Sequence, residues 1–310
     1  MRGRLDCLVI GGGPAGLTAA IYIARFRLKV GVVDAGQSRA ALIPLTRNHA
    51  GFPEGIAGSA LLHRMRVQAL KFGAEFKRGH VERLVEADGG FIATAEGQAI
   101  QADTVLMATG VTNHRPAMSE EDHAAALETG RLRYCPVCDG YEVIGRDVAV
   151  IGAGPGGGKE ALFLKSFTDR VTLIPLDESS NLDALTRRVL EEAGVKLGGG
   201  PLERLRLEPS GFRLAFAGQA KVFESVYPAL GSTVHSGLAT ALGAAATDDG
   251  CLKVDRHQRT TVPGLYAAGD VVLGLDQISH AMGEAGVAAT AIRNDLAVRK
   301  GQSLLEVSSA

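Results

Sequence analysis

Four cysteines in 310 residues are too few to staple a secreted scaffold with disulfides. No excess of one charge sign exists either: 33 basic residues face 34 acidic ones. That net charge of −1 argues against a nucleic-acid partner held by counterion release. Tryptophan is absent and aromatics make up 5%, yet the hydrophobic share of 46% is too high for a disordered chain. Long apolar runs are also scarce. Residues 7–24, from Cys7 to Ala24, carry no charge and follow Arg2 and Arg4, which mimics a signal peptide or a short span. Gly11-Gly12-Gly13-Pro14 in its middle would break a hydrophobic helix, so a cytoplasmic protein without a membrane segment is expected. What is abundant is glycine, 40 residues, and it shows no triplet period, which excludes collagen. The length suits two domains, each able to bury its own core.

The glycines concentrate in two similar places. Asp6-Cys7-Leu8-Val9-Ile10 leads into GGGPAG, and Asp147-Val148-Ala149-Val150-Ile151 leads into GAGPGGG. Each short β-rich run is followed by a helix-like stretch, Ala15 to Phe26 or Lys159 to Phe167. Each then meets a second β-rich run, Val30 to Val33 or Val171 to Ile174. A β-turn-α-β unit present twice predicts an α/β protein of two Rossmann-like, three-layer domains. Further along, Leu61 to Phe72 reads as a helix; Val81 to Val85, Phe91 to Ala95 and Thr104 to Ala108 read as strands. Residues 111–130 read as a polar crossing linker, and the run Glu120-Glu121-Asp122 as a solvated loop. Gly198-Gly199-Gly200-Pro201 signals a loop, and Val222 to Leu230 a strand. A strand at Gly264 to Ala267, the turn Ala268-Gly269-Asp270 and a helix from Ile278 to Val298 precede a frayed tail, Gly301 to Ala310. The predicted domains are 1–114 with 247–310, a discontinuous unit, and 115–246.

Gly11, Gly13 and Gly16 fit G-x-G-x-x-G, with Pro14 and Ala15 between the last two. Such glycines allow a tight turn, close approach of backbone to a pyrophosphate, and close helix–strand packing. Asp34 ends the next strand, where an acid would bond ribose hydroxyls. Gly152, Gly154 and Gly157 repeat the spacing, but the same offset falls on Pro175, which offers no side-chain hydrogen bond. Asp177 and Glu178 follow, and no Arg or Lys lies between Val171 and Thr186 to meet a 2′-phosphate. The second turn therefore reads either as a possible second nucleotide site or as a retained fold with weak or lost pyridine-nucleotide binding.

Cys135-Pro136-Val137-Cys138 is a C-x-x-C followed at once by Asp139. Beside βαβ units such a pair reads as a redox dithiol, with Asp139 able to shuttle a proton during exchange. Zinc and two inert buried thiols are the competing readings. No second pair and no H-x₃-H tract exists, so no metal is expected. Cys7 reads as core packing and Cys251 carries no role. The eight histidines form no ligand pattern, although His49 and His280 are candidates to line a site.

These residues resemble the low-molecular-weight thioredoxin reductases. GGGPAG, Ala108-Thr109-Gly110, CPVCDG, the second glycine turn and Ala268-Gly269-Asp270 occur in that family's order, over nearly the whole chain. The resemblance implies FAD in the first domain, a thiol–disulfide oxidoreductase activity and a cytoplasmic homodimer. Gly11, Gly13 and Gly16 would hold the FAD pyrophosphate, flanked by Pro14 and Ala15, and Asp34 the adenosine ribose, with Ala35 and Arg39 nearby. Asn48 would reach the flavin end, Val81 would contact the adenine, and Ala108, Thr109 and Gly110 would pass the adenosine half. Gly269 and Asp270 would meet the ribityl and phosphate portion, and Gln277-Ile278 would begin the last helix near the pyrimidine. Cys138 would be the sulfur nearest the flavin, Cys135 the attacking thiol and Asp139 the acid–base residue.

The chain departs from that family where the NADPH-using members carry an H-R-R element. Here the stretch is Pro175-Leu176-Asp177. Members lacking the element include ferredoxin-dependent enzymes and relatives with a second flavin in the vacated site. The expected donor is therefore ferredoxin or a second FAD rather than NADPH, with a thioredoxin-like protein or a small dithiol as partner. Two alternatives stay open. One is an NAD(P)H-dependent thioredoxin reductase. The other is a gliotoxin-type dithiol oxidase, a branch also resembled by residues 34–39 and by Gly51-Phe52-Pro53-Glu54-Gly55.

Overall fold

The computed structural model describes residues 1, 3–152, 154–177 and 182–302. In chain order it begins β1 (Leu5–Ile10), α1 (Pro14–Arg25), β2 (Val30–Asp34), α2 (Gly58–Lys71) and β3 (Glu75–Arg78). Next come β4 (Val81–Ala87), β5 (Gly90–Ala95), β6 (Gln98–Met107), β7 (Val111–Asn113), α3 (Glu120–Glu128) and α4 (Pro136–Asp139). The middle holds β8 (Val148–Gly152), α5 (Gly154–Leu164), β9 (Val171–Pro175), α6 (Ala184–Glu192) and β10 (Lys196–Leu197). It continues as β11 (Leu202–Glu208), β12 (Gly211–Phe216), β13 (Gln219–Phe223) and β14 (Ser225–Ala229). The chain then forms β15 (Ser232–Val234), α7 (Gly237–Thr240), β16 (Leu265–Ala267) and α8 (Ile278–Arg299).

Two compact units result. The first contains Met1–Leu42, Ala57–Thr112 and the chain from Thr233 onward. Its sheet runs β3-β2-β1-β6-β5-β4. The long strand β6 divides its pairing. Its inner half lies parallel to β1 and β16, and its outer half antiparallel to β5. One face is covered by α1 and α8, whose Ala15, Ala19, Ala20, Ala281, Ala285 and Ala288 share a single buried cluster. Small side chains let these helices approach each other closely, which brings the starts of both to one end of the sheet. The other face buries Leu8, Ile10, Val33, Val105 and Met107. Each such side chain contributes about 1.5–3 kcal/mol on burial. Residues 233–246, read from the sequence with the middle domain, fall in this first unit. Ala239 of α7 and Ala244 join its second cluster.

The second unit contains Ile43–Ile56 and Asn113–Ser232. Its parallel sheet runs β10-β9-β8-β14, and a separate antiparallel sheet runs β11-β12-β13. Both units are Rossmann-like α/β folds, and both are discontinuous in sequence.

Two local readings change. The acidic run Glu120-Glu121-Asp122 is no loop: it is the first turn of α3, with Ser119 Oγ accepting from the Asp122 N–H at 3.1 Å. Acids there favour the helix dipole. The strand read over Val222 to Leu230 is two strands, because the chain leaves the antiparallel sheet after Phe223 and enters the parallel one at Ser225. The tail read as frayed lies, from residue 303 on, outside the described residues, as do Glu178, Ser179 and Ser180.

Candidate active site

In the first unit the glycine turn is forced by its neighbours. Gly11 sits at φ 112°, a left-handed conformation that disfavours other residues, and a Cβ there would run into the Ala108 carbonyl. A Cβ at Gly16 would strike the Gly11 carbonyl, so the helix packs directly on the turn. The Asp34 carboxylate lies against Gly12, held by the Gly36 N–H at 2.9 Å and by Arg66 at 3.7 Å. Gly13 caps α1 without a side-chain hydrogen bond, and its first turn has no acid. The leading N–H groups of such a helix end have no intrahelical acceptor, which favours an anion.

The rest of this site converges on the same end of the sheet. A Cβ at Gly269 would touch both Ala15 of α1 and Ala281 of α8. Arg39 donates to Asp270 Oδ2 at 2.7 Å and to Asp276 Oδ2 at 3.1 Å. Burial pushes the Asp270 carboxyl above its ordinary range, against the pull of Arg39. Gln277 begins α8, again with no side-chain cap. Val81 and Ala108 are buried, and the Ala108 carbonyl abuts Gly11. Glu284 was not read from the sequence: it accepts the Gly269 N–H at 2.7 Å and pairs with His280 at 3.0 Å. The glycine cradle, the acid beside it and two uncapped helix starts fit a dinucleotide with its pyrophosphate at α1. Asn48 lies in residues 43–56, which group with the second unit, and Thr46 Oγ1 donates to its Oδ1 at 2.9 Å.

The second unit carries the cysteines. Cys135 and Cys138 form a disulfide with their Cα atoms 5.2 Å apart, and Cys135 caps α4. The Cys138 N–H points at Cys135 Sγ at 3.1 Å, an arrangement that favours a thiolate on Cys135 once the pair is reduced. Val137 and Tyr141 are exposed beside the pair. Asp139 is held from two sides, by Arg133 Nη1 at 3.0 Å and by the Tyr227 hydroxyl at 2.8 Å. Burial raises its pKa, while Arg133 and Tyr227 pull it down and Glu142 pushes it up. Arg133 and Tyr227 were not singled out from the sequence; only the fold brings them to Asp139. Tyr134 next door donates to or accepts from His123 at 2.9 Å, and burial pushes its phenol up to about 12. Cys7 is fully buried, its thiol also pushed up to about 12 by desolvation.

The second glycine turn differs in backbone. Here Gly154, not Gly152, has positive φ, at 50°, and α5 starts on it. Gly152 and Gly157 pack on each other. Pro175 ends β9. Glu160 on α5 has a buried Oε2 with no hydrogen-bond partner among the described residues, and desolvation pushes its pKa up to about 7. Among the described residues no cluster of His, Cys, Asp or Glu could hold a metal ion, and no helix is long and apolar enough to cross a membrane.

Comparison with known proteins agrees with this geometry. The family model described as pyridine nucleotide-disulphide oxidoreductase matches residues 5–285. A thioredoxin reductase from Mycolicibacterium smegmatis is 33% identical over 279 residues, 86% of this chain and 88% of that protein. The crystal structure of HlmI superposes with a TM-score of 0.88 at 30% identity, covering 97% of this chain and 95% of the other. The atypical thioredoxin reductase TRi from Desulfovibrio vulgaris Hildenborough is 32% identical, with a TM-score of 0.53 and 94% and 97% coverage. The redox disulfide and the dinucleotide cradle thus belong to a flavin-dependent disulfide oxidoreductase with FAD as its cofactor, and the chain is a member of the pyridine nucleotide-disulphide oxidoreductase family, among the low-molecular-weight thioredoxin reductases.

Proposed function

We propose that the protein exchanges electrons between FAD and the Cys135–Cys138 pair, and passes them to a thioredoxin-like protein or a small dithiol partner, with a donor other than NADPH. FAD in the first unit, when bound, supplies or accepts the two electrons of the disulfide. Gly11, Gly13 and Gly16 would hold its pyrophosphate, Asp34 its ribose, and Gly269, Asp270 and Gln277 the flavin half. The remaining chemistry is exchange at sulfur. A Cys135 thiolate attacks the partner disulfide, forming a mixed disulfide and releasing one partner thiolate. Asp139 takes the proton of Cys138 and delivers it to that thiolate. The Cys138 thiolate then attacks Cys135, re-forming the internal disulfide and releasing the second partner sulfur. Two electrons and one proton reach the partner, and the reverse sequence runs by the same steps. A cytoplasmic homodimer is part of this reading.

One observation carries the choice of donor: β9 ends at Pro175, and no Arg or Lys occurs from Val171 to Thr186 to meet a 2′-phosphate. Ferredoxin, or a second flavin on the turn of Gly152, Gly154 and Gly157, suits that lack. Anaerobic mixing of the FAD-loaded protein with NADPH or NADH tests it. The visible flavin band is expected to persist, and to bleach with reduced ferredoxin. Rapid bleaching at micromolar NADPH would restore the ordinary reductase reading. Oxygen uptake driven by a dithiol, without any donor, would move the assignment to a dithiol oxidase.

A further inference from the structure

The backbone just before the cysteine pair is tied to the parallel sheet. Leu132 bridges to Val226 of β14 in parallel register, with the Arg133 N–H donating to the Val226 carbonyl at 3.0 Å. That register sets Arg133 and Tyr227 side by side. Tyr227 is fully buried in an otherwise apolar cluster of Val143, Val148, Val150 and Leu164. A phenol there needs a partner for its hydroxyl, and Asp139 Oδ1 supplies it. Arg133 takes the other oxygen, Oδ2, from a side chain only 13% exposed. Each carboxylate oxygen of Asp139 therefore faces a fixed donor.

We propose that Tyr227 and Arg133 are positioning residues for proton transfer at the redox disulfide: they aim the Asp139 carboxyl and keep it the anion that can take the Cys138 proton. The inference rests on reading Asp139 as the acid–base group. Charge and burial favour the need for such a clamp. Burial drives Asp139 toward its neutral form, and Glu142, in the turn after α4, drives it the same way. Arg133 and Tyr227 are the groups that oppose this, and Glu142 is itself partly offset by Arg47 at 3.4 Å. Without the two donors, burial and Glu142 would act on Asp139 unopposed, and a larger share of it would hold its own proton at a given pH.

The test uses the FAD-loaded protein, reduced anaerobically with dithionite and freed of excess. The rate of thiol release from 5,5′-dithiobis(2-nitrobenzoate) is followed between pH 5.5 and 9. Tyr227→Phe keeps the ring and removes the donor. Its rate at neutral pH should fall roughly tenfold, with the acid limb of the profile displaced to higher pH. Arg133→Met should displace the limb further, and Arg133→Lys should recover most of the loss. In an Asp139→Asn background neither change should slow the reaction again, because residues acting through one group are not additive. Thermal melting of each variant confirms the fold. A wild-type limb in both Tyr227→Phe and Arg133→Met, or full losses that multiply with Asp139→Asn, would overturn the inference while leaving Asp139 in place. An Asp139→Asn protein with wild-type rate and profile would remove the acid–base reading, and the positioning role with it.

Discussion

Gly11, Gly13 and Gly16 follow the same spacing as Gly152, Gly154 and Gly157, yet the two turns leave their strands differently. In the first, Gly11 carries the positive φ and α1 begins at Pro14, behind an uncapped Gly13. In the second, the positive φ sits on Gly154 and α5 begins there. The first strand pair ends in Asp34, folded against Gly12, and the second ends in Pro175. Beneath the first helix the packing residue is Ala19, wholly buried; the matching offset in the second places Glu160, with an unpartnered buried oxygen. A repeated motif therefore marks a repeated fold. On the proposed reading, whether a nucleotide is read depends on the residue at the end of the next strand and on the helix face behind the turn.

The largest effect that would sharpen this contrast is steric. Gly16→Ala places a methyl on the Gly11 carbonyl, a backbone group that cannot swing aside, with the Val9 side chain the next neighbour. Flavin bound per chain, read from the visible absorbance against protein absorbance, should fall roughly fiftyfold or more. Gly156→Ala enters open space in the second turn and should leave flavin content unchanged. Equal loss in both variants would break the comparison. Asp34→Ala comes next. Losing a charged hydrogen-bond partner of the ribose should weaken FAD binding by about 2 kcal/mol, roughly thirtyfold in the dissociation constant, measured by fluorescence on re-adding FAD to stripped protein.

Much of the fold was legible because buried parallel strands are short apolar runs. Leu8-Val9-Ile10 and Val148-Ala149-Val150-Ile151 announce themselves, and so do the turns that follow. The C-x-x-C-D run was legible because its chemistry is local. Arg133 and Tyr227 were not, since their meaning comes from a bridge between Leu132 and Val226, far apart in sequence. The start of α3 was missed because acids read as solvated when their cap, Ser119, is overlooked. Glu160 gave no signal either: its burial depends on how α5 lies on β8 and β9.

Glu160 yields a prediction about pH. Its pKa is raised to about 7 by desolvation, above its value in the unfolded chain. The folded state then binds the proton more tightly, so stability is fully present below the unfolded pKa and is lost as pH rises toward 7. Glu160→Gln removes that slope. The variant should be more stable than the parent by on the order of 2 kcal/mol at pH 8, with the gap closing toward pH 4.5. Partial exposure keeps the figure below the full value for the shift. Urea midpoints at both pH values measure it. A gap independent of pH would mean that Glu160 is ionised in the fold.

The smallest expected effect bears most directly on what separates the two turns. If the second cradle fails NADPH only for want of a cationic reader, supplying one should restore binding. Pro175→His, Leu176→Arg and Asp177→Arg together place the H-R-R element at the end of β9. Leu176 and Asp177 are exposed, so the substitutions cost the core little. Each new charged hydrogen bond to a 2′-phosphate is worth about 1.5 kcal/mol at best, and a flexible loop end realises part of it. The concentration of NADPH needed to bleach the flavin anaerobically should therefore fall about tenfold, with NADH unaffected because it lacks the phosphate. A variant that NADPH still does not bleach would place the difference in the turn itself. The φ of 50° at Gly154 and the early start of α5 would then be what turns a pyrophosphate away, by shifting the free N–H groups of the first helical turn relative to the end of β8.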